Sequence, residues 1–418
     1  MSSKDTTVRH RRLTQSEADE ICAKHDRLWT ARLGGARAVF SWTDISGLKL
    51  AGRNLSDADF TATIMVDTDL TGAKLDQANL FGADMQGAKL AGASLRRADL
   101  RGACLRGADL TAADLFEADL REGTIAAADK QLGLRILEPT NRAAEAQGAS
   151  LVGANLERSK LSGVIAIKAD FSDAVMKDCK LVRANLKQAN LKGVDLAGAD
   201  LSGADFSGAD LSDAVLVGAK TTLWRADGAN MEGVLTDKPV GQPVDALPYD
   251  EMLRAHALWC ETGGREGKPS MFNNADLRAL KSVRGLNLTA LSAKGAVFYG
   301  LDMEGVQLQG AHLEDADLRG CNLRRADLRG ARLARAKLSG SDLRDAHLGP
   351  LLISQDRLLP ADLTGANLKG ADFSGADLRR AQMAGTDLSR GKFTGAQLRG
   401  ADLTGAVRHG VRDLNELD

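Results

Sequence analysis

Two His/Cys pairs are the residues best suited to hold a metal ion. Cys22 and His25 lie three apart, and His256 and Cys260 lie four apart. On a helix, either spacing puts two ligands on one face. A zinc site usually takes four ligands, and no companion Cys-x-x-Cys or His pair accompanies these. The expectation is therefore that the four residues pack, beside Trp29 and Trp259, and that the chain carries no metal or other cofactor. A second chemistry lies in two arginine runs. Arg96, Arg97, Arg101 and Arg106 form one, and Arg319, Arg324, Arg325, Arg329, Arg332 and Arg335 the other. Guanidinium forks hold phosphates or carboxylates in bidentate fashion. Acids are interleaved with these arginines and aromatics are not, which disfavours nucleic acid. Asp–Arg ladders on solvated faces are the expected role. A protein-binding face is the functional reading for Arg96, Arg97, Arg101, Arg106, Arg324, Arg325 and Arg329. No catalytic residue is expected, because the six His are scattered and no Ser, His and acid grouping stands at a recognisable spacing.

The elements that must position these side chains follow a period of five. From Phe40 a large apolar residue recurs at Ile45, Leu50, Leu55, Phe60, Met65 and Leu70, and onward in phase to Ile125. A small residue stands two before most of them, and the unit reads A-D/N-L-x-G, as in Ala98-Asp99-Leu100-Arg101-Gly102. Five is neither the 3.6 of a helix nor the 2 of an ordinary strand, and so short a repeat means a solenoid. Large and small residues both point inward if each pentapeptide forms one side of a square coil. Four sides then make a turn, with a Gly or polar residue near each corner where the chain bends.

Composition fits thin coils: 418 residues, 44% hydrophobic but 4% aromatic, with 44 Gly. A formal net charge of -1 leaves no field of one sign to recruit a polyanion. The segment Met1 to Arg12 has no apolar core, so no secretory signal is expected, and no apolar run approaches a membrane span. Five Cys without paired spacing point to a reducing compartment, the cytoplasm.

Four blocks keep the phase: Phe40 to Ile125, Leu151 to Leu216 with Ala166 out of type, Leu288 to Leu348 with Ala293 weak, and Leu363 to Leu403. The expected organisation is an N-terminal arm and capping helix (1–36), a first repeat module (37–235), a Pro-rich linker with a second helix (236–270) and a second module (271–418). Residues 126–150, with the helix-favouring run Arg142 to Ala146, and residues 349–360, between Pro350 and Pro360, are expected to loop out. Thr14 and Glu17 spell a capping box for a helix over 14–33, with Ile21, Leu28 and Trp29 as its apolar face. Residues 249–262 repeat the plan, with Leu253, His256, Ala257 and Trp259. Leu95 to Ala103 recurs as Leu323 to Ala331, which suggests a duplication.

On the A-D/N-L-x-G units, the chain resembles the pentapeptide-repeat protein family over about two-thirds of its length. The resemblance implies an all-β solenoid, a right-handed quadrilateral parallel β-helix, here with short capping or inserted α-helices. It does not imply one function, since some members mimic DNA and bind DNA gyrase while others are effectors, lumenal proteins or adaptors. Mimicry needs acidic columns, and Asp59, Asn79, Asp99 and Asp119, spaced by one coil, form one. Arg96, Arg101, Arg106 and Arg121 beside it cancel much of its field. The expected function is a non-enzymatic scaffold or adaptor binding other proteins, and possible self-association through a solenoid end. A gyrase-directed DNA mimic is the alternative, and anion or nucleic-acid binding through the arginines a second.

Overall fold

The computed structural model describes residues 10–123, 126–129, 133–136, 143–243 and 248–414. The first nine residues of the expected arm, Pro139, Arg142 and the tail Asn415–Asp418 lie outside the described residues. The chain divides into two compact units, Met1–Asp237 and Lys238–Asp418. Each is built of square coils, and the fold is a right-handed quadrilateral β-helix.

Phe40, Ile45, Leu50 and Leu55 make the four sides of one coil and are fully buried. The residue before each large one bridges in parallel to the residue twenty further on, as in Asn54 to Lys74 to Ser94 to Asp114. The large residue's N–H donates upward, Leu75 to the Ser94 carbonyl at 2.6 Å, while the bridging residue's N–H donates downward, Asn79 to the Ala58 carbonyl at 2.9 Å. One bridge per side is too short for a named strand, yet the stack pairs the backbone from coil to coil. The Leu and Ala columns form one continuous core in each unit.

The acid of the repeat closes the corner. Asp99 Oδ1 accepts the N–H of Arg101 at 3.2 Å, and Asp200 accepts that of Ser202 at 3.1 Å. The second corner residue is left-handed, which is why Gly102 stands there at φ +65°. Leu223 holds the same position at φ +56° and is 87% exposed, so it bears the strain with little compensating burial. The left-handed penalty is about 1–2 kcal/mol, offset by glycine's greater unfolded-state entropy of roughly 0.5–1 kcal/mol. Leu223→Gly is therefore expected to stabilise the first unit slightly, seen as a small rise in its urea midpoint. An unchanged or lower midpoint contradicts that.

Each expected loop contains an antiparallel hairpin, and the first is shorter than 126–150. In the first, β3 (Ala126–Asp129) pairs with β4 (Gly133–Ile136). The stack resumes at Glu145, which bridges to Cys104. The helix-favouring run is thus not helical where described: Ala144 and Ala146 are buried, with Ala146 in the slot of a Leu. Two ladder bonds decide this over propensity, Glu145 N–H to the Ala103 carbonyl (3.0 Å) and Ala146 N–H to the Ile165 carbonyl (2.7 Å). The second block therefore begins one pentapeptide before Leu151. Ala166 and Ala293 likewise fill large-residue slots and are fully buried. In the second hairpin, β7 (Leu351–Ser354) pairs with β8 (Arg357–Leu359). Across it Arg332 bridges to Asp362, thirty residues on, so the phase is kept. The third block starts earlier than Leu288, since Phe272, Leu277 and Val283 already build its first coil.

A helix covers the first coil of each unit. In the first, α1 (Gln15–Trp29) starts with the capping box of Thr14 and Glu17. A short arm, β1 (Arg11–Arg12), pairs in parallel with β2 (Thr43–Asp44). Side chains of α1 serve the coil's open edge: Gln15 Oε1 accepts the Lys49 N–H at 2.9 Å, and Gln15 Nε2 donates to the Lys49 carbonyl at 3.0 Å. In the second unit β5 (Gln242–Pro243) pairs with β6 (Ala275–Asp276), and α2 (Tyr249–Glu261) follows.

Candidate partner-binding faces

Each pentapeptide turns a corner, so neighbours in sequence lie on different sides and neighbours in space lie one coil apart. This disperses the arginine runs. Leu95, Leu100 and Leu105 sit on three successive sides, and with them Arg96 and Arg97, then Arg101, then Arg106. The same holds for Arg324 and Arg325 against Arg329. Counted from Phe40, Leu95 lies in the Asn54–Ser94 column of the fourth side. Counted from Phe272, Leu323 lies in the Ser282–Asn322 column of the third. The recurring nine-residue run is therefore rotated by one side between the units.

Most of these arginines are engaged. Arg101 forks onto Asp99 (2.8 and 2.6 Å), Arg96 binds Asp114 (2.7 Å), Arg97 binds Glu117 (2.8 Å), and Arg106 reaches Glu145 (3.2 Å). In the second unit Arg329 forks onto Asp327 (2.9 and 2.6 Å), Arg335 onto Asp315 (2.8 and 2.7 Å), and Arg319 pairs with Asp317 (2.6 Å) with both side chains nearly buried. Arg325 stands 3.9 Å from Glu304, and Arg324 faces Asp342 with its Nε buried and unbonded. Burial pushes the Asp327 carboxyl up, but hydrogen bonds from Arg329 and Gln309 hold it below the ordinary range. Exposed pairs of this kind each contribute little, ~0–1 kcal/mol.

Phe81 and Phe116 went unread in the sequence. Arg96 lies over the Phe116 ring at 4.6 Å with Arg158 at 5.7 Å, and Arg101 lies over Phe81 at 5.3 Å. Spacing by twenty would have revealed them: Phe81, Arg101 and Arg121 share one column, as do Arg96 and Phe116. The acidic column does stack, Asp59 to Asn79 to Asp99 to Asp119, but it continues into Lys160. Arg37 lies 3.4 Å from Asp59, Arg101 covers Asp99, and Arg121 with Lys160 covers Asp119.

The His/Cys pairs belong to the caps. His25 is buried and its Nδ1 accepts the Ala38 N–H at 3.0 Å. The Trp29 Nε1–H points at the other ring nitrogen, Nε2, at 3.1 Å, with the two rings edge-on at 6.3 Å. A neutral imidazole accepts at one nitrogen at a time, so the Ala38 and Trp29 N–H groups compete for its one acceptor. His256 repeats the Nδ1 contact, accepting the Ser270 N–H at 2.9 Å. The buried face of α1 is Ala18, Cys22 and His25, whereas Leu28 and Trp29 are about half exposed. Trp29 thus shields His25 from outside and does not itself plug the coil; Trp259 is half-buried against His256 at 5.7 Å. Burial raises the Cys22 thiol to about 11 and the Cys260 thiol in the same direction, so neither favours the thiolate a metal needs. Among the described residues no three His, Cys, Asp or Glu side chains converge on a metal position.

Burial lowers the pKa of His256. The unfolded chain then binds a proton below about pH 6.5 while the folded cap resists it. The stability this neutral ring contributes is full above that pH and is lost as pH falls toward the lowered folded value. Expected is a loss of hydrogen-exchange protection at Ser270 between neutral pH and pH 5 that is weaker in His256→Asn, whose amide oxygen still accepts the N–H. Equal pH dependence in both proteins contradicts this.

These coils, corners and columns define a solenoid of pentapeptides, and the chain belongs to the pentapeptide repeat family. The family model, pentapeptide repeats, matches in eight copies, among them those over residues 38–77, 78–115, 142–178, 179–218, 311–349, 361–395 and 381–412. Solved structures similar to it include HetL, a pentapeptide repeat protein involved in heterocyst differentiation regulation in the cyanobacterium Nostoc. It is 24% identical, with 83% of this chain and 90% of that one covered and a TM-score of 0.19. QnrB1, a plasmid-mediated fluoroquinolone resistance protein, is 20% identical over 47% of this chain and 94% of its own, with a TM-score of 0.24. Rfr23 from the cyanobacterium Cyanothece is 23% identical over 33% and 91%, with a TM-score of 0.17. No curated protein matches the sequence. Among the described residues no helix is long and apolar enough to cross a membrane.

Proposed function

We propose that the protein is a non-enzymatic cytoplasmic scaffold or adaptor that binds other proteins along its solenoid sides. The observation that carries this reading is the pairing of most charges along the solenoid sides. Arg–Asp and Arg–Glu pairs couple adjacent coils or residues of one corner, and the acidic column is covered by Arg37, Arg101, Arg121 and Lys160. Such faces offer a rigid, charge-balanced relief that suits docking by shape and short-range contacts. They offer neither the bare anionic column a DNA mimic needs nor the bare cationic groove a nucleic acid needs. Five unbridged cysteines, four of them buried, suit a reducing compartment. Self-association through an end of the second unit is part of the proposal. Its last described bridge is Lys392 to Arg412, and Leu403, Ala406 and Val411 are only partly covered there.

The reading predicts that the purified chain leaves gyrase supercoiling unaffected and does not shift duplex DNA at physiological salt. Inhibition abolished by neutralising Asp59, Asp99 and Asp119 would replace it with mimicry. Steeply salt-sensitive DNA binding lost with the Arg96–Arg101 and Arg324–Arg329 substitutions would replace it with nucleic-acid recognition. For self-association, a light-scattering mass of one chain at every concentration removes the end-to-end form.

A further inference from the structure

The arginines that gather in space are not the ones that gather in sequence. On the side where the second hairpin emerges, the coils read Asp327-Leu328-Arg329, His347-Leu348-Gly349, Asp377-Leu378-Arg379-Arg380 and Gln397-Leu398-Arg399. The bridges Asp327–His347, His347–Asp377 and Asp377–Gln397 stack these four coils directly. The β7–β8 hairpin leaves this face at Gly349. Its base pair Leu351 and Leu359 lies on Gly330, where a Cβ would meet Leu351 Cβ at 2.9 Å and Leu359 Cδ2 at 3.1 Å. The hairpin is thus held against the face, and beside it opens a cleft of about 880 Å³. Its lining includes Arg329, Arg379, Arg380 and Arg399 on the coils, with Pro350 and Leu358 on the hairpin side.

The charge of this cleft is unlike that of the other faces. Arg329 is forked onto Asp327, and Arg379 onto Asp377 at 2.9 and 2.8 Å. Arg380 and Arg399 are exposed and have no carboxylate partner among the described residues. Four guanidinium groups against the two carboxylates Asp327 and Asp377 leave an excess of two positive charges in a chain whose net charge is -1. The Arg380 side chain runs along the stack, its Cγ 3.4 Å from where a Gly400 Cβ would stand, which brings it beside Arg399.

The hairpin wall has the complementary character. Leu352, Ile353 and Leu358 are 64%, 52% and 43% exposed. β7 and β8 pair only with each other, so the outer edges of the ribbon carry no further strand among the described residues. A free strand edge and apolar side chains suit an extended segment of polypeptide, and unpaired guanidinium forks suit its carboxylates. The volume falls within the roughly 300–1,000 Å³ usual for ligand sites.

We propose that the cleft between the β7–β8 hairpin and the Arg329–Arg379–Arg399 column binds an acidic, Leu-bearing peptide segment of a partner protein. Its carboxylates meet Arg380 and Arg399, and its apolar side chain meets Leu358 and Pro350. This rests on the adaptor reading and locates one of its docking sites.

The test is an array of short synthetic peptides of mixed sequence, including Asp/Glu–Leu members and their Asn/Gln counterparts, probed with the full chain. The acidic members are expected to be retained and the amide counterparts lost. Affinity for the best acidic peptide is expected to fall about tenfold or more in the double variant Arg380→Gln, Arg399→Gln and severalfold in Leu358→Ser. All three sites are on the surface, and an unchanged unfolding midpoint verifies folding. Retention of amide and acidic peptides alike, unchanged affinity in the double variant, or no peptide retained would each overturn the proposal. Capture of a partner from lysate by wild type and double variant equally would overturn the cleft while leaving the adaptor reading standing.

Discussion

Phe60→Ala is expected to destabilise the first unit by about 3–5 kcal/mol, the range for emptying a buried aromatic site. Phe60 is fully buried and its ring stacks on Phe40 at 5.0 Å with planes 4° apart. Each inward residue touches only its own coil and the two beside it, so the backbone ladder holds the cavity open. Collapse would require shortening bonds such as Phe60 N–H to the Asn79 carbonyl, already 2.7 Å. The loss should also be local, because a solenoid's stability is a sum of nearest-neighbour terms. Hydrogen exchange is therefore expected to quicken in α1 and around Phe40, Phe60 and Leu80 before it changes at Leu196 or Phe206. Urea unfolding gives the magnitude. A loss under about 1 kcal/mol, or uniform quickening along the unit, would contradict the description of coils as independent layers.

The second large effect is expected at the cap. In His25→Ala the buried N–H of Ala38 loses its acceptor, at a cost of about 1–3 kcal/mol, and a void opens beside Cys22. The mixed edge that α1 covers through Gln15 and His25 is then open for pairing with another chain. His25→Asn keeps an acceptor and is expected to recover most of the stability. Light scattering should show a mass rising with concentration in the Ala variant beyond any rise in the parent and the Asn variant. Identical masses and midpoints for all three proteins would mean that the helix is held by other contacts.

The five-residue phase made the square coil legible because inward residues announce themselves by type, and both hairpins were legible as breaks in that type. The two boundaries that went astray have different causes. Ala146, like Ala166 and Ala293 inside the blocks, is a small residue in a large slot, and such a slot is defined by ladder bonds that type alone does not reveal. Phe272 and Leu277 are out of phase with Leu288 because six residues separate Leu277 from Val283. The cap helix was legible from Thr14 and Glu17, but of its inward face only Ile21, which packs on the core, was. Apolar count favours Leu28 and Trp29, whereas the structure buries His25 because an amide thirteen residues on needs an acceptor. The arginines misled for a geometric reason. A run such as Arg96–Arg106 wraps around the coil, while Arg329, Arg379 and Arg399, seventy residues end to end, share one face. Reading columns one coil apart recovers that cluster, provided that the hairpin's ten extra residues are first removed from the count.

The most direct measurement is a nuclease-treated pull-down of the tagged full chain from a bacterial lysate, washed at low and at high salt, with bound proteins identified by mass spectrometry. The account predicts a specific partner that survives the high-salt wash, since the paired charges of the solenoid sides leave docking there to shape and short-range contacts. Only docking at the Arg380–Arg399 cleft is expected to weaken with salt. Recovery of gyrase subunits alone, or of nothing but the chain itself, would contradict it.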